Sequence, residues 1–199
     1  MKFRELKVPG AFEITPRLFG DDRGTFLEWF KDAPFQAALG HRLDLAQANC
    51  SVSRRGVLRG IHYADVPPGQ AKYVTCVRGA VLDIAVDIRV GSATFGEWDS
   101  VLLDTVDRRA IYLSEGLGHA FLALEDDSTV VYLCSTGYSP DREHEINPLD
   151  PAIGITWPPD VTPLLSAKDQ AAPSLAEARD LGLLPTVAAV QDYLASLAP

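Results

Sequence analysis

Apolar and polar side chains alternate along several short stretches of the chain, and a period of two residues is typical of β-strands. The clearest stretch spans residues 72–89, where every second position from Leu82 to Ile88 is aliphatic. Gly79 lies between two alternating runs and predicts a hairpin turn. Many short strands at this spacing predict an antiparallel β-sandwich or barrel. Further strands are predicted at residues 98–103, 110–113 and 130–135.

Helix signals are few, and most of them lie near the end of the chain. A short helix is predicted from residue 32 to Gly40, with proline near its start and glycine at its end. Ser174 and Glu177 have the spacing of a capping box. Residues 186–197 place apolar side chains on one helical stripe. We therefore expect a mainly β fold with a short helical C-terminal tail.

Polar residues inside the strand pattern are the first candidates for chemistry, because barrels of this size commonly function through their interior. Arg59 and His62 are separated by Gly60. A bulge at Gly60 would turn both polar side chains toward the interior. Lys72 on the next strand favours a functional cluster. The alternative is one hydrogen-bonded core histidine and one surface arginine.

Composition and charge exclude several classes of protein. The 199 residues are 47% hydrophobic and 23% charged, which is typical of one soluble globular domain. No apolar run is long enough to cross a membrane, and the first residues lack a secretory signal, so we expect a cytoplasmic protein. The net charge of −9 argues against nucleic-acid binding but allows a small phosphorylated ligand in a locally basic pocket.

The cysteines and histidines do not predict a metal or disulfide framework. Cys50, Cys76 and Cys134 are widely spaced, and we expect all three to be buried apolar residues. Glycine and histidine motifs around His62 and His119 resemble those of cupin barrels. Metal-binding cupins have a second histidine where this chain has alanine, two positions after His62. We therefore predict no catalytic metal, and a metal-dependent cupin enzyme stays a less favoured alternative.

A series of ordered motifs along nearly the whole chain resembles a metal-free branch of the cupins, the dTDP-4-dehydrorhamnose 3,5-epimerases. Each motif alone is weak, but together they are highly specific. The motifs are DRGTFLE from Asp22, QANCS from Gln47, GVLRGIHY from Gly56, QAK from Gln70, VDIRVGSATFG from Val86, GHAF from Gly118, WP at Trp157 and SAKD from Ser166, with Tyr132, Tyr138 and Glu143.

The resemblance implies a single cupin or jelly-roll domain over residues 1–199. Residues 1–30 would form N-terminal strands that contribute to a dimer and to the neighbouring site. Residues 31–165 would form the β-barrel core, and residues 166–199 the helical tail. In this family the segment carrying Arg23 and Glu28 reaches the active site of a neighbouring subunit, which implies a homodimer with exchanged strands.

The resemblance also implies a reaction, the epimerisation of dTDP-4-dehydro-6-deoxy-D-glucose at C3 and C5 through an enolate. The ketone is already present in this substrate, so no redox cofactor is needed. The absence of Gly-rich dinucleotide or phosphate-loop motifs agrees with that expectation. Two alternatives remain, an epimerase that inverts only one carbon in a secondary-metabolite pathway and a non-catalytic sugar-nucleotide binder.

Epimerisation next to a ketone needs a base and an acid on opposite faces of the sugar, and a cation near the carbonyl oxygen. By resemblance, His62 is the base and Asp169 holds its other ring nitrogen. Lys72 would stabilise the enolate charge near the C4 oxygen. Tyr132 would be the acid on the opposite face.

The remaining implied roles concern substrate binding. The cations for the diphosphate would be Arg23, Arg59 and Lys168. The contacts to sugar or phosphate would come from Gln47, Asn49 and His119. The nucleoside end would meet Glu143, with Phe26 and Tyr138 stacking on the thymine. The chain departs from the common family pattern at Ala64, at Ala120, and at Ser114, where proline is common; these changes affect none of the proposed catalytic groups.

Overall fold

Two antiparallel β-sheets face each other in the computed structural model, which describes residues 1–197. The mainly β fold class predicted from the sequence is confirmed. The strands are β1 (Lys2–Glu5), β2 (Ala11–Thr15), β3 (Leu18–Asp21), β4 (Gly24–Leu27), β5 (Gln47–Ser53), β6 (Leu58–Ala64), β7 (Lys72–Arg78), β8 (Ala80–Asp87), β9 (Trp98–Asp104), β10 (Ala110–Leu113), β11 (Leu117–Ala123), β12 (Ser128–Cys134) and β13 (Glu143–Glu145).

The strand order divides the barrel into two walls. One sheet has the order β1-β2-β10-β7-β12-β5, and the other has the order β13-β6-β11-β8-β9. Strands β3 and β4 pair only with each other and form a separate, largely exposed hairpin. The helices are α1 (Asp32–Leu39), α2 (Ala167–Gln170), α3 (Leu175–Asp180) and α4 (Val187–Leu197).

The predicted helices form where the local signals place them. Helix α1 ends at Gly40, whose amide donates to Gln36 O at 2.9 Å. Helix α3 begins with the expected capping box, in which the Ser174 hydroxyl and the Glu177 carboxylate satisfy each other's backbone amides. The division into N-terminal strands, core and tail stays a prediction, and residues 198 and 199 of that tail lie outside the described part of the chain. No helix within residues 1–197 is long and apolar enough to span a membrane.

The predicted hairpin at Gly79 is wrong. Strand β7 pairs with β10 and β12, whereas β8 pairs with β11 and β9. The turn at Gly79 therefore connects the two sheets instead of joining neighbours within one. The reason is that alternation reports which face of a strand is buried but not which strand is its partner.

The alternating face of β8 also has an unexpected orientation. Ile84, Val86 and Ile88 pack outward in a cluster with Ile153 and Leu175, so the C-terminal segment covers the outside of the five-stranded sheet. The other face of β8, which carries Asp83 and Asp87, is also buried. The C-terminal segment thus buries the apolar outer face of β8, while the acidic side chains of this strand lie on its inner face.

The expectation for the cysteines is only partly confirmed. Cys76 and Cys134 are buried, but Cys50 is exposed. Strand β5 lies at the edge of its sheet, and within β5 Cys50 alternates with the inward-facing Asn49 and Ser51. A strand at the edge of a sheet can leave one face in water, which explains the exposed thiol.

The bulge that would turn Arg59 and His62 inward is present at Gly60. His62 lies opposite His119 and Arg59 lies opposite Phe121, so two residues of β6 face the single Ala120 between them. Gly60 has φ +114°, and a Cβ there would lie 2.4 Å from His119 O. Only glycine fits this position, and the bulge turns Arg59 and His62 toward the same cavity.

Replacing Gly60 with alanine should therefore destabilise the fold more than an ordinary glycine substitution does. We expect Gly60→Ala to lower the free energy of unfolding by about 3 kcal/mol, from backbone strain and the clash together. Gly91→Ala is the matched control, because Gly91 has φ +88° but no atom within 4 Å of the added Cβ. It should cost about 1 kcal/mol. Urea unfolding measures both, and equal losses would contradict the steric role of the bulge.

Candidate active site

A cavity of about 530 Å³ lies between the two sheets and under α2. Ten of the residues predicted for the site line it, from both walls of the barrel and from the C-terminal tail. They are Gln47, Asn49, Arg59, His62, Lys72, Tyr132, Tyr138, Glu143, Lys168 and Asp169. Four lining residues were not predicted as site residues, namely Gln70, His144, Glu145 and Ser166.

A histidine–carboxylate pair occupies one wall. His62 Nε2 on β6 lies 2.7 Å from Asp169 Oδ1 on α2. The Ser166 hydroxyl caps α2 and donates to Asp169 Oδ2 at 2.8 Å. Burial acts to raise the pKa of Asp169, but hydrogen bonds from His62 and Ser166 outweigh it and hold this pKa below its ordinary value. The ionised carboxylate therefore fixes the imidazole and leaves Nδ1 as the ring nitrogen available to a substrate.

Lys72 begins β7 and lies buried on the opposite wall. Burial is the main influence on the pKa of its ammonium and lowers it. Acidic groups oppose this shift, in decreasing order Cys134, Glu143 and Asp83. An ammonium in such a dry setting interacts strongly with any negative charge that forms in the cavity.

Asp83 and His119 form a second, buried pair. His119 Nε2 lies 2.9 Å from Asp83 Oδ1. Burial raises the pKa of the Asp83 carboxyl, and the contact with His119 acts against that rise. The other oxygen of Asp83 has no hydrogen-bond partner among residues 1–197. His119 lies directly opposite His62 on β6 and Ala85 on β8, so its side chain faces the interior of the barrel, although it does not border the cavity itself.

Tyr132 projects from β12, in the sheet that also carries Lys72. Tyr132 therefore lies on the wall opposite His62, which belongs to the other sheet. Burial raises the pKa of the Tyr132 phenol, and the charge of Arg59 opposes this effect. The phenol is thus a group that keeps its proton until a strong base forms beside it.

Amide side chains form an ordered row on the six-stranded wall. Gln47 Nε2 donates to Asn49 Oδ1 at 2.8 Å, and the Tyr138 amide donates to Gln47 Oε1 at 2.9 Å. Tyr138 itself is largely exposed at the edge of the cavity. This arrangement offers fixed polar contacts inside the cavity and an aromatic ring at its edge.

A cation and a carboxylate meet where α2 approaches β13. Lys168 Nζ lies 2.7 Å from Glu145 Oε2, and this contact raises the pKa of Lys168. No motif marks Glu145, because only its pairing with β6 brings it opposite His62. Gln70 and Ser166 lie inside motifs singled out above, so their presence could have been anticipated.

Three predicted binding residues lie away from this cavity. Arg23 and Phe26 belong to the β3–β4 hairpin, where Arg23 pairs with Asp21. Glu28 pairs with Lys31 at 2.9 Å just before α1. All three are exposed and do not join the cavity of their own chain.

Within residues 1–197, no three histidine, cysteine, aspartate or glutamate side chains are arranged to hold a metal ion. The cavity is lined by cations, carboxylates, amides, a phenol and the imidazoles of His62 and His144.

Comparison with known proteins agrees with this geometry. The family model described as dTDP-4-dehydrorhamnose 3,5-epimerase matches residues 5–177. The chain belongs to the dTDP-4-dehydrorhamnose 3,5-epimerase family. A Mycolicibacterium smegmatis epimerase of that name is 63% identical over 197 residues, covering 99% of this chain and 97% of the relative.

Solved structures of the epimerase family match the fold closely. The Mycobacterium tuberculosis rmlC epimerase superposes with a TM-score of 0.97 at 57% identity, covering 99% of this chain and 100% of that one. ChmJ, a 3′-monoepimerase from Streptomyces bikiniensis in complex with dTDP-quinovose, superposes with a TM-score of 0.95 at 54% identity, covering 97% and 98%.

The electrostatic setting of Lys72 can be tested without any substrate. We expect the Lys72 ammonium to titrate below the ordinary lysine pKa, because burial disfavours its charge. Asp83→Asn should lower this pKa further, since the negative charge of Asp83 favours the protonated form of Lys72. NMR titration of isotope-labelled lysine, assigned with Lys72→Arg, measures both effects. The exposed Glu97→Gln is the control, and an unchanged Lys72 pKa in Asp83→Asn would contradict the interpretation.

Proposed function

We propose that this epimerase converts dTDP-4-dehydro-6-deoxy-D-glucose to dTDP-4-dehydro-L-rhamnose by inverting C3 and C5. One arrangement carries the proposal: His62 and Tyr132 project from opposite sheets into one cavity, with the Lys72 ammonium on the wall beside Tyr132. A sugar ring between these walls would meet a base on one face and an acid on the other. No cofactor is required, because the C4 ketone already acidifies the neighbouring C–H bonds.

Each inversion is a pair of balanced proton transfers. His62 Nδ1 takes the proton from the carbon next to the ketone, and the electron pair of that C–H bond moves into an enolate. Lys72 stabilises the enolate oxygen, and Asp169 stabilises the imidazolium that forms. Tyr132 then donates its proton to the opposite face of the carbon. Exchange with solvent returns the tyrosinate and the imidazolium to their starting states.

The rest of the cavity suits a sugar nucleotide. Arg59 and Lys168 supply cations for the diphosphate, and the row of Gln47 and Asn49 supplies polar contacts to the sugar or phosphate. Glu143 lies toward the nucleoside end, where Tyr138 would stack on the thymine. The contact of His119 with the sugar stays a prediction, and in the free structure His119 Nε2 is paired with Asp83. The complex of ChmJ with dTDP-quinovose supports a dTDP-sugar as ligand.

The same proposal includes a homodimer with exchanged N-terminal strands. The β3–β4 hairpin exposes Phe26 with 67% of its surface in contact with water, and Phe19 and Leu18 are also exposed. Exposed apolar side chains on a projecting hairpin are typical of a surface that a partner covers. The hairpin would then supply Arg23 and Phe26, together with the nearby Glu28, to the neighbouring cavity. The cytoplasmic location expected from the sequence also stays a prediction.

Solvent deuterium incorporation tests the reaction directly. The wild-type protein should introduce deuterium from D₂O at both C3 and C5 of dTDP-4-dehydro-6-deoxyglucose, as read by NMR. His62→Ala should slow exchange at both carbons by about 10²- to 10⁴-fold, because the base is lost. In Tyr132→Phe, His62 should still remove a proton and return deuterium to the same face, so the sugar exchanges with its original configuration. Little of the inverted product should form, because the acid on the opposite face is lost.

His41→Asn is the matched control, since His41 lies outside this cavity, and it should exchange normally. Label at one carbon only would contradict the double inversion and identify a single-centre epimerase. Binding of the substrate without any exchange would identify a non-catalytic binder.

Mixed dimers test the exchanged strands. Arg23→Ala and His62→Ala homodimers should each be nearly inactive, since every site lacks one group. Dissociating and reassociating an equal mixture should restore about one quarter of the wild-type rate, because mixed dimers contain one intact site. Enzyme assays after reassociation measure this recovery. A mixture that stays as inactive as its components would exclude the exchange, and analytical ultracentrifugation provides the control for dimer formation.

A further inference from the structure

Helix α2 is held on the barrel with little apolar packing. Of its residues, Ala167–Gln170, only Asp169 is buried, and the other members of the helix are exposed. Hydrophobic burial usually fixes a helix on a sheet, so it contributes little to the position of α2. That position matters because Asp169 accepts the hydrogen bond that orients His62.

The backbone is attached to the barrel on either side of α2 and not within it. Before the helix, the Leu164 amide donates to Gly56 O at 2.7 Å. After it, Pro173 O accepts from the Asn147 amide at 2.8 Å. In between, the backbone hydrogen bonds recorded for residues 165–172 stay within that segment. Side chains must therefore hold the middle of the segment against the barrel.

Neighbouring side chains of α2 supply these contacts. Lys168 Nζ lies 2.7 Å from Glu145 Oε2 on β13, and Asp169 Oδ1 lies 2.7 Å from His62 Nε2 on β6. Glu145 and His62 are directly opposite each other in the pairing of these strands. Consecutive residues of the helix thus bind a single cross-strand pair, so a movement that breaks one contact strains the other.

The contact between Lys168 and Glu145 joins a mobile cation to a fixed carboxylate. Only 17% of the Glu145 side chain is exposed, compared with 58% of the Lys168 side chain. The hydrogen bond from Glu145 is the main cause that raises the pKa of Lys168, so its ammonium stays charged. An ammonium carries several N–H donors. Lys168 can therefore keep Glu145 as a partner and still donate to a diphosphate.

Glu145 is an unfavourable residue for a cavity that takes a diphosphate, because like charges repel in a partly buried site. Among the cavity cations Arg59, Lys72 and Lys168, only Lys168 forms an ion pair with a carboxylate within residues 1–197. The carboxylate is thus directed at the one cation that belongs to α2. This placement indicates a role in holding the helix and not in binding the substrate.

We propose that Glu145 is a positioning residue for the pair of His62 and Asp169. Through Lys168 it holds α2 on β13 and so keeps the Asp169 carboxylate against the imidazole. Without this contact, α2 leaves the barrel more often between its flanking attachments, and each opening removes the fixed partner of His62. The inference rests on the proposed function only for the role of His62 as the base.

NMR on the free, full-length protein measures this opening. The Gln170 amide donates to Ser166 O at 3.0 Å, so its hydrogen exchange reports the opening of α2. Relaxation dispersion at the Cε1 carbon of the His62 ring reports the state without its carboxylate. Glu145→Gln should speed Gln170 exchange by about fivefold, the effect of losing one partly exposed ion pair, and should raise the minor state at His62 by a similar factor.

Matched variants show whether the contact itself is responsible. Lys168→Met breaks it from the other side and leaves the Glu145 charge in place, so it should accelerate exchange equally. The double variant should show no further acceleration, because the same contact is lost only once. Lys168→Arg keeps a cation and should open like the wild type. Asp180→Asn is the control, since it breaks the 2.9 Å pair of Arg179 and Asp180 within α3 and should leave α2 unchanged.

Several results would overturn the proposal. Unchanged Gln170 exchange in Glu145→Gln would show that the ion pair does not hold α2. Faster exchange at α2 without any change at His62 would separate the helix from the imidazole. Opposite changes in Glu145→Gln and Lys168→Met would reveal the field of a single charge and not a shared contact. These measurements need no substrate, so a failure of the deuterium assay would contradict the proposed reaction and leave the attachment of α2 standing.

Discussion

The hydrogen bond of 2.7 Å between His62 and Asp169 connects the two parts of the molecule on which the candidate site depends. His62 belongs to the barrel wall, whereas Asp169 belongs to a four-residue helix in the C-terminal tail. Asp169 is held in turn by the Ser166 cap and by burial. The C-terminal segment therefore performs two tasks, because it covers the apolar outside of the five-stranded sheet and supplies the partner of the imidazole.

The second constraint is that the interior is lined by two different sheets. The turn at Gly79 sends consecutive strands into opposite walls, so Lys72 on β7 and Asp83 on β8 approach from different sides although they are close in sequence. His62 and Tyr132 are separated in the same way. Groups placed on facing rigid walls keep their separation without a mobile loop, which suits chemistry that needs an acid and a base on opposite faces of one ring.

Local patterns predicted the elements well and their partners poorly. Alternation located the strands, capping residues located α3, and Gly60 located the bulge, because each depends on neighbouring residues. Strand pairing at Gly79, the exposure of Cys50 and the position of Glu145 depend on contacts between distant segments. The ordered motifs identified most residues of the cavity. They did not reveal that His119 pairs with the buried Asp83, since a motif fixes which residue is present and not which distant residue it contacts.

The placement of Asp169 also has a consequence for the order of assembly. The barrel strands are complete by residue 145, and Asp169 comes 24 positions later in the chain. A nascent polypeptide can close its sheets while His62 still has no carboxylate beside it. The imidazole gains its fixed orientation only when the last segment docks, so a chain interrupted before that point would have a nearly finished barrel but no oriented base.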